Sequence, residues 1–286
     1  MKKFKLLSSV VLVFASFLYS CTPSEHNSTV TPGNGTITDL GWTFETTPSW
    51  FDEFDVNGCP SSLKWRNDIG VGADGGWGNA ELQYYTDACT NAKVNDGNLV
   101  IEARKEVFPG GGRQYTSSRM KSNFSQKYGR FEARLKVPRG NGTWSAFWML
   151  PSNPSDVWPI SGELDVMEHV GNTPNKIFQT IHCKLHNGYD RTQLGGDTMV
   201  ANAFDDYHVY RVDWTPYSVT YFTDNVKVFS YTNANSGINQ WPYNASFFMI
   251  LNVAIGGNWG GAVDDSIFPA KMIVDYVRVY KMIEKK

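Results

Sequence analysis

The chain has 286 residues, with 26 Lys and Arg against 28 Asp and Glu for a net charge of −2. Hydrophobic residues at 41% and charged residues at 19% exclude a disordered chain, and no long basic run offers a phosphate-neutralising surface, so the composition predicts no nucleic-acid partner. The excess is aromatic, 10 Trp, 14 Tyr and 17 Phe, and favours an aromatic-rich β protein with a surface suited to sugar rings.

At the start of the chain, Lys2, Lys3 and Lys5 precede an apolar run from Leu6 to Tyr19 that is short for a bilayer span, so residues 1–20 read as an export signal. The run closes on Leu18-Tyr19-Ser20-Cys21, which resembles a bacterial lipoprotein signal with Cys21 as the lipidated first residue. Tyr19 departs from the small or branched residue usual there, and an ordinary secretory signal is the alternative. The resemblance implies an exported lipoprotein, and the outer membrane at the cell surface is the position that suits a substrate too large for diffusion pores. Residues 21–40, rich in Ser, Thr, Asn, Pro and Gly, read as a flexible tether, and 41–286 as one domain. Cys59, Cys89 and Cys183 match no zinc spacing; a Cys59–Cys89 disulfide and isolated buried thiols both remain open.

From Trp42 onward the pattern is strand after strand. Tyr128 to Val137 alternates, with Phe131, Ala133, Leu135 and Val137 on one face and Arg130, Glu132, Arg134 and Lys136 on a wet one. Similar runs occupy Asn98 to Arg104, Tyr207 to Trp214, Phe247 to Ile255 and Met272 to Tyr280. Tyr217 to Phe222 and Val226 to Tyr231 flank Thr223-Asp224-Asn225 as a β-hairpin. Neither a helical apolar stripe nor an internal repeat is visible beyond the leader. Many short antiparallel strands predict an all-β sandwich of the jelly-roll kind, one sheet of which can curve around an extended polymer.

The segment Gly162-Glu163-Leu164-Asp165-Val166-Met167-Glu168-His169-Val170-Gly171 carries three carboxylates in six residues. On a regular strand Glu163 and Asp165 share a face while Glu168, five residues on, points away; on a helix Glu163 and Glu168 stand about 140° apart. One β-bulge near Met167 returns Glu168 to the face of the other two. Retaining glycoside hydrolysis needs one ionised carboxylate and one protonated carboxyl about 5–5.5 Å apart, and crowded negative neighbours help keep the second protonated. A solvated acidic strand or a calcium ligand set is the alternative. Trp144, Trp148 and Trp158 lie just upstream. Trp144 and Trp148 share strand parity and suit one groove, although at least one of the three is expected in ordinary core packing.

At these residues the chain resembles glycoside hydrolase family 16, in its laminarinase-like branch, through Glu163-Leu164-Asp165-Val166-Met167-Glu168. The resemblance extends to Gly78–Thr86, Gly142–Leu150, Asn252–Gly261 and Val274–Tyr280, and covers roughly Phe51 to Lys281. It implies a β-jelly-roll endo-glucanase that cleaves β-1,3- or mixed β-1,3/1,4-glucan with retention, needs no cofactor for catalysis and works as a monomer. Carried over by position, Glu163 matches the nucleophile, Asp165 the assisting acid and Glu168 the general acid/base. Asn79, Trp144, Trp148 and Trp158 match sugar contacts, and so, more weakly, do Arg119 and His182. A carboxylate-paired Arg119 and a hydrogen-bonded strand His182 are the plainer readings. Cys183-Lys184-Leu185 departs from the family pattern after that histidine.

The resemblance also implies a structural calcium ion on the face away from the acids, at positions matching Glu53, Gly97 and Asp275, bound through hard oxygens including backbone carbonyls. A surface salt bridge for Glu53 and a turn for Gly97 are the alternatives. The rival functional class is a non-catalytic glycan-binding lipoprotein, which would be expected to have lost an acid. Within the enzyme class the rivals are agarase or carrageenase activity and transglycosylation. A sulfated substrate calls for Lys and Arg clustered near the acids, and the sequence shows no such cluster there.

Overall fold

The computed structural model describes residues 41–108 and 112–284. The proposed signal, the tether and Cys21 lie outside the described residues. Two sheets dominate. A seven-stranded antiparallel sheet runs in the order Leu194–Met199, Lys176–His182, Glu163–Val170, Thr143–Pro151, Phe247–Ile255, Arg119–Gln126, Trp65–Asp68. A ten-stranded sheet packs behind it, centred on Gly129–Lys136 and Ala270–Tyr280. Trp42–Phe44 pairs with Met282–Glu284 as a separate ribbon. Helix is confined to Gly257–Gly260 and one 3-10 turn among the described residues, as the absence of a helical stripe predicts.

Alternation explains the layers. In Gly129–Lys136 and the following Val137, the residues Phe131, Ala133, Leu135 and Val137 are buried between the sheets. They meet Phe147, Met149, Leu164, Met167, Leu251 and Val253 from the seven-stranded sheet in one core. The opposite face of this strand is drier than expected. Glu132 is also buried and accepts from the Tyr280 hydroxyl, while Arg130 is held by Asp213 through two hydrogen bonds. Facing charges on neighbouring strands thus cover one another.

The predicted hairpin forms, with Thr223 inside its strand and paired with Val226. Asp224 and Asn225 alone make the loop, both at positive φ (48° and 66°), the conformation of a two-residue turn that suits the strand twist. Cys59 and Cys89, 30 residues apart, are joined as a disulfide, and Cys183 is a buried free thiol. Closing a loop of that length contributes about 3–4 kcal/mol.

Both ends of the acidic strand depend on glycine. Gly162 has φ +85°, and a side chain on it would meet Pro242 at 2.7 Å. A Cβ on Gly171 would lie 1.8 Å from the Gly140 carbonyl oxygen. The strand is therefore flanked by a close side-chain approach at Gly162 and a close backbone approach at Gly171.

Candidate active site

The three acids reach one face through a bulge. On one side of the acidic strand Phe147 pairs with Met167 but Trp148 pairs with Asp165, so Val166 is the extra residue. On the other side Thr180 pairs with Asp165 and Phe178 with Glu168, which again gives the acidic strand one residue more than its partner. Both ladders break at the same place. Val166 and Met167 are each completely buried in the core, and the parity after them is reset. Glu168 now lies opposite Ala146 on the face that carries Trp144 and Trp148. Alanine at that partner position leaves the carboxyl room.

Each end carboxylate is held by an indole. Trp158 Nε1 donates to Glu163 Oε2 at 2.6 Å, and Trp144 Nε1 donates to Glu168 Oε1 at 3.0 Å. His182, the register partner of Glu163, brings Nε2 within 3.1 Å of Asp165 Oδ2. Burial raises the Asp165 carboxyl well above the usual carboxylate range, and the charge of Glu163 and a hydrogen bond between the two acids add to it. Glu168 is likewise held well above its ordinary value. Burial is the largest cause, the charge of Asp165 the next, and His182 and the Trp144 N–H act in the opposite direction. Glu168 therefore holds its proton to higher pH than an ordinary carboxyl does, the property that the proton donor of a displacement with retention requires.

All nine catalytic and sugar-contact positions singled out in the sequence sit on or beside this face. Trp144, Trp148 and Trp158 are each only half-buried, which corrects the expectation that one of them packs in the core. The buried tryptophans are Trp65, Trp214 and Trp241 instead. Arg119 takes its plainer, carboxylate-paired reading: Nε lies 3.1 Å from Asp68 Oδ2, while the guanidinium is sandwiched between the rings of Trp77 and Trp148 at 4.6 and 4.7 Å. Asn79 is on a loop, its carbonyl accepting from Asn258 N and its amide donating to Glu81. His186 and His208 stand elsewhere, bonded to the Thr192 carbonyl and to Asp224.

Sequence reasoning missed a buried hydrogen-bond chain behind these residues. Trp148 Nε1 donates to Asn252 Oδ1 (2.7 Å), Asn252 Nδ2 to the Tyr85 hydroxyl (3.0 Å), and Tyr85 to Glu81 (3.2 Å), which also accepts from Gln83 and Asn79. Burial raises the Glu81 carboxyl against the pull of these donors. Polar residues at buried strand positions, such as Gln83 and Asn252, were the available signal. Trp259 was missed as well. It meets Trp144 edge-on at 5.4 Å and Phe178 at 4.9 Å, extending the aromatic wall beside Glu168, while Tyr189 stands against Trp158 at 4.8 Å beside Glu163.

The suggested calcium positions lie on the other sheet. The side chains are committed in part to arginines: Glu53 accepts both arms of Arg278, and one oxygen of Asp275 accepts from Arg134. This is the salt bridge expected of Glu53 in its plainer reading. The backbone there is irregular. Asp275 is the bulged residue of Ala270–Tyr280, paired in no ladder, at the gap where the neighbouring strand changes from Asn98–Lys105 to Trp50–Asp52. Gly97 and Glu53 are the residues just beyond those two strand ends. Glu163, Asp165 and His182 form the single cluster of three ligand-type side chains among the described residues, and it belongs to the acidic site.

Comparison with known proteins gives concordant results. Residues 79–278 match the model for glycosyl hydrolases family 16. A β-glucanase of Rhodothermus marinus is 45% identical over 248 residues, covering 82% of this chain and 85% of that protein. The X-ray structure of the Rhodothermus marinus laminarinase superposes with a TM-score of 0.80 at 43% identity, over 85% of this chain and 99% of that one. A mutant of a non-specific endo-β-1,3(4)-glucanase, co-crystallised with 1,3-β-D-cellotriosyl-glucose, also reaches 0.80 at 39% identity, over 87% and 99% of the two chains.

The raised Glu168 carboxyl has a consequence for stability. In the unfolded chain it ionises near 4.5, in the folded protein only at higher pH, so its contribution is full below the unfolded value and is lost as pH rises through the folded one. Glu168→Gln removes that loss. Thermal unfolding should show equal midpoints for variant and wild type at pH 4, with the variant higher by a few degrees at pH 8; a difference independent of pH would contradict the assignment.

Proposed function

This chain belongs to family 16 of the glycosyl hydrolases, and from that premise we propose that it is an endo-acting β-glucanase that hydrolyses β-1,3- and mixed-linkage β-1,3/1,4-glucan with retention of configuration. The observation that carries this reading is the bulge at Val166-Met167, which turns Glu168 to the face of Glu163 and Asp165. Catalysis by this machinery needs no cofactor.

In the first step the Glu163 carboxylate attacks the anomeric carbon while Glu168 gives its proton to the glycosidic oxygen. The C–O bond breaks, the reducing-end fragment leaves as an alcohol, and a glycosyl ester forms on Glu163. In the second step Glu168, now ionised, takes a proton from water as that water attacks the same carbon. The ester breaks, Glu163 regains its charge, and the released sugar has the β configuration. Asp165 supports Glu163 through their hydrogen bond, and the Trp158 and Trp144 N–H groups hold the two end carboxyls in place. Trp144, Trp148 and Trp158, with Asn79, Arg119 and His182 beside them, supply the sugar-facing surface.

Outside the site we propose export as a lipoprotein anchored through Cys21 in the outer membrane at the cell surface, and action as a monomer. The support for the anchor is the sequence of residues 1–40. We also propose a structural calcium ion held by backbone oxygens of Glu53, Gly97 and Asp275 and by the second carboxylate oxygen of Asp275, on the support of the unpaired bulge there. That ion would tie two strand ends to the bulge of a third strand and take no part in the reaction.

Three measurements test these proposals. Glu163→Gln should lower cleavage of laminarin by about 1000-fold or more while polymer binding persists, and NMR of the wild-type reaction should show the β anomer first; near-normal turnover or an initial α anomer would remove the nucleophile assignment. Millimolar calcium should raise the thermal midpoint, and chelation should lower it, with turnover at moderate temperature unchanged and the shift absent in Asp275→Ala; a midpoint indifferent to calcium would dismiss the ion. Cys21→Ala should move the protein from the membrane fraction to the soluble one, and an unchanged distribution would sink the anchor.

A further inference from the structure

The bulge that aligns the acids leaves a backbone carbonyl without its ladder partner, and one side chain reaches it. Gln179 sits on Lys176–His182 directly opposite the break, between Phe178, paired with Glu168, and Thr180, paired with Asp165. Its row on the strand is Ile177, Gln179, Ile181, so a wholly buried amide interrupts an otherwise apolar core face. Gln179 Nε2 donates to the Val166 carbonyl at 2.8 Å and to the Phe222 carbonyl, on the sheet behind, at 3.2 Å. Val166 is the inserted residue itself. A buried carbonyl freed by a bulge is unfavourable unless it is paired, and the alternative that restores a ladder bond is to expel the extra residue from the register. Expulsion would turn Glu168 toward the core.

We propose that Gln179 is a positioning residue for the general acid: by pairing the Val166 carbonyl and tying it to the second sheet, it holds the bulge that presents Glu168 to the cleft. The inference rests on the reading of Glu168 as proton donor given above. Gln179 touches neither substrate nor carboxylate and acts only through the backbone of the acidic strand. A glutamine in this row thus serves the site rather than the core, and a methionine or leucine of similar size, better suited to the core by polarity, would weaken the site.

The test compares two substrates that differ in their need for an acid. Laminarin requires the leaving oxygen to be protonated, whereas 2,4-dinitrophenyl β-laminaribioside releases a phenolate that does not. Gln179→Met is expected to lower kcat on laminarin roughly 10- to 100-fold with KM within about twofold, and to lower kcat/KM of the activated glycoside, which reports only the steps through ester formation and so omits the base role of Glu168, by less than about threefold. The alkaline limb of the laminarin kcat profile should shift as the Glu168 environment changes. Equal losses on both substrates, or an unshifted profile with unchanged activity, would overturn the positioning role. Should Gln179→Met not fold, Gln179→Asn, which keeps the amide one methylene short of the carbonyl, carries the same comparison. Failure of the wild-type protein to cleave either substrate would instead overturn the proposed function, so the two failures are distinguishable.

Discussion

The site depends on a single constraint, the extra residue that the acidic strand carries between two neighbours that lack it. Side chains on a strand alternate strictly, and a strand with buried neighbours on both flanks cannot slip without turning a whole hydrophobic row outward. The bulge resolves this by burying Val166 and Met167 in succession, so that apolar Leu164 and Met167 still face the core while Asp165 and Glu168 both face the cleft. Gly162 and Gly171 at the ends, both positions where a Cβ would collide, prevent the irregularity from being relieved by sliding.

Behind the acids the face is polar but dry. Trp148, Asn252, Tyr85, Glu81, Gln83 and Asn79 form a connected chain in which each member satisfies the next, and Gln83 also accepts from the Ile255 amide. Such a network is unfavourable when half-satisfied and rigid when complete, so it fixes the plane of the Trp148 ring while Arg119 stacks against that ring. Support comes from elsewhere. The intersheet core, the disulfide between Cys59 and Cys89, and the ion pairs of Arg130 with Asp213 and Arg278 with Glu53 lie away from the cleft. The scaffold can therefore tolerate a cluster of carboxyls that repel one another.

Much of this was legible in the sequence because period-two patterning is a local property. The alternation of Tyr128 to Val137, the run Phe247 to Ile255 and the hairpin around Asp224 all appear as strands with nearly the predicted limits. The bulge was legible for a different reason: three acids in that spacing have no common face without it. What stayed hidden required long-range pairing. Nothing local tells that Trp148 finds Asn252, that Trp259 closes on Trp144, or that Cys59 meets Cys89, since each depends on which strands become neighbours. The surroundings of Arg119, with Asp68 on one side and two indoles around the guanidinium, were hidden for the same reason, since its partners come from segments distant in the chain.

Electrostatics then explains why a buried triad suits double displacement. Burial pushes the Asp165 and Glu168 carboxyls well above their ordinary values, the charge of Glu163 adds to both, and that of Asp165 adds to Glu168, so ionised groups on this face oppose one another. In the proposed mechanism, formation of the glycosyl ester consumes the charge of the attacking Glu163 carboxylate just as Glu168 surrenders its proton, so charge moves from one end of the strand to the other and its sum is unchanged. Hydrolysis of the ester reverses the move. The proposed steps therefore add no further negative charge to the face, which its burial would oppose. Repulsion among the three acids, which in an ordinary strand would only destabilise, here makes the appearance of charge on Glu168 conditional on its disappearance from Glu163, and so couples proton transfer to bond formation at the opposite carboxyl.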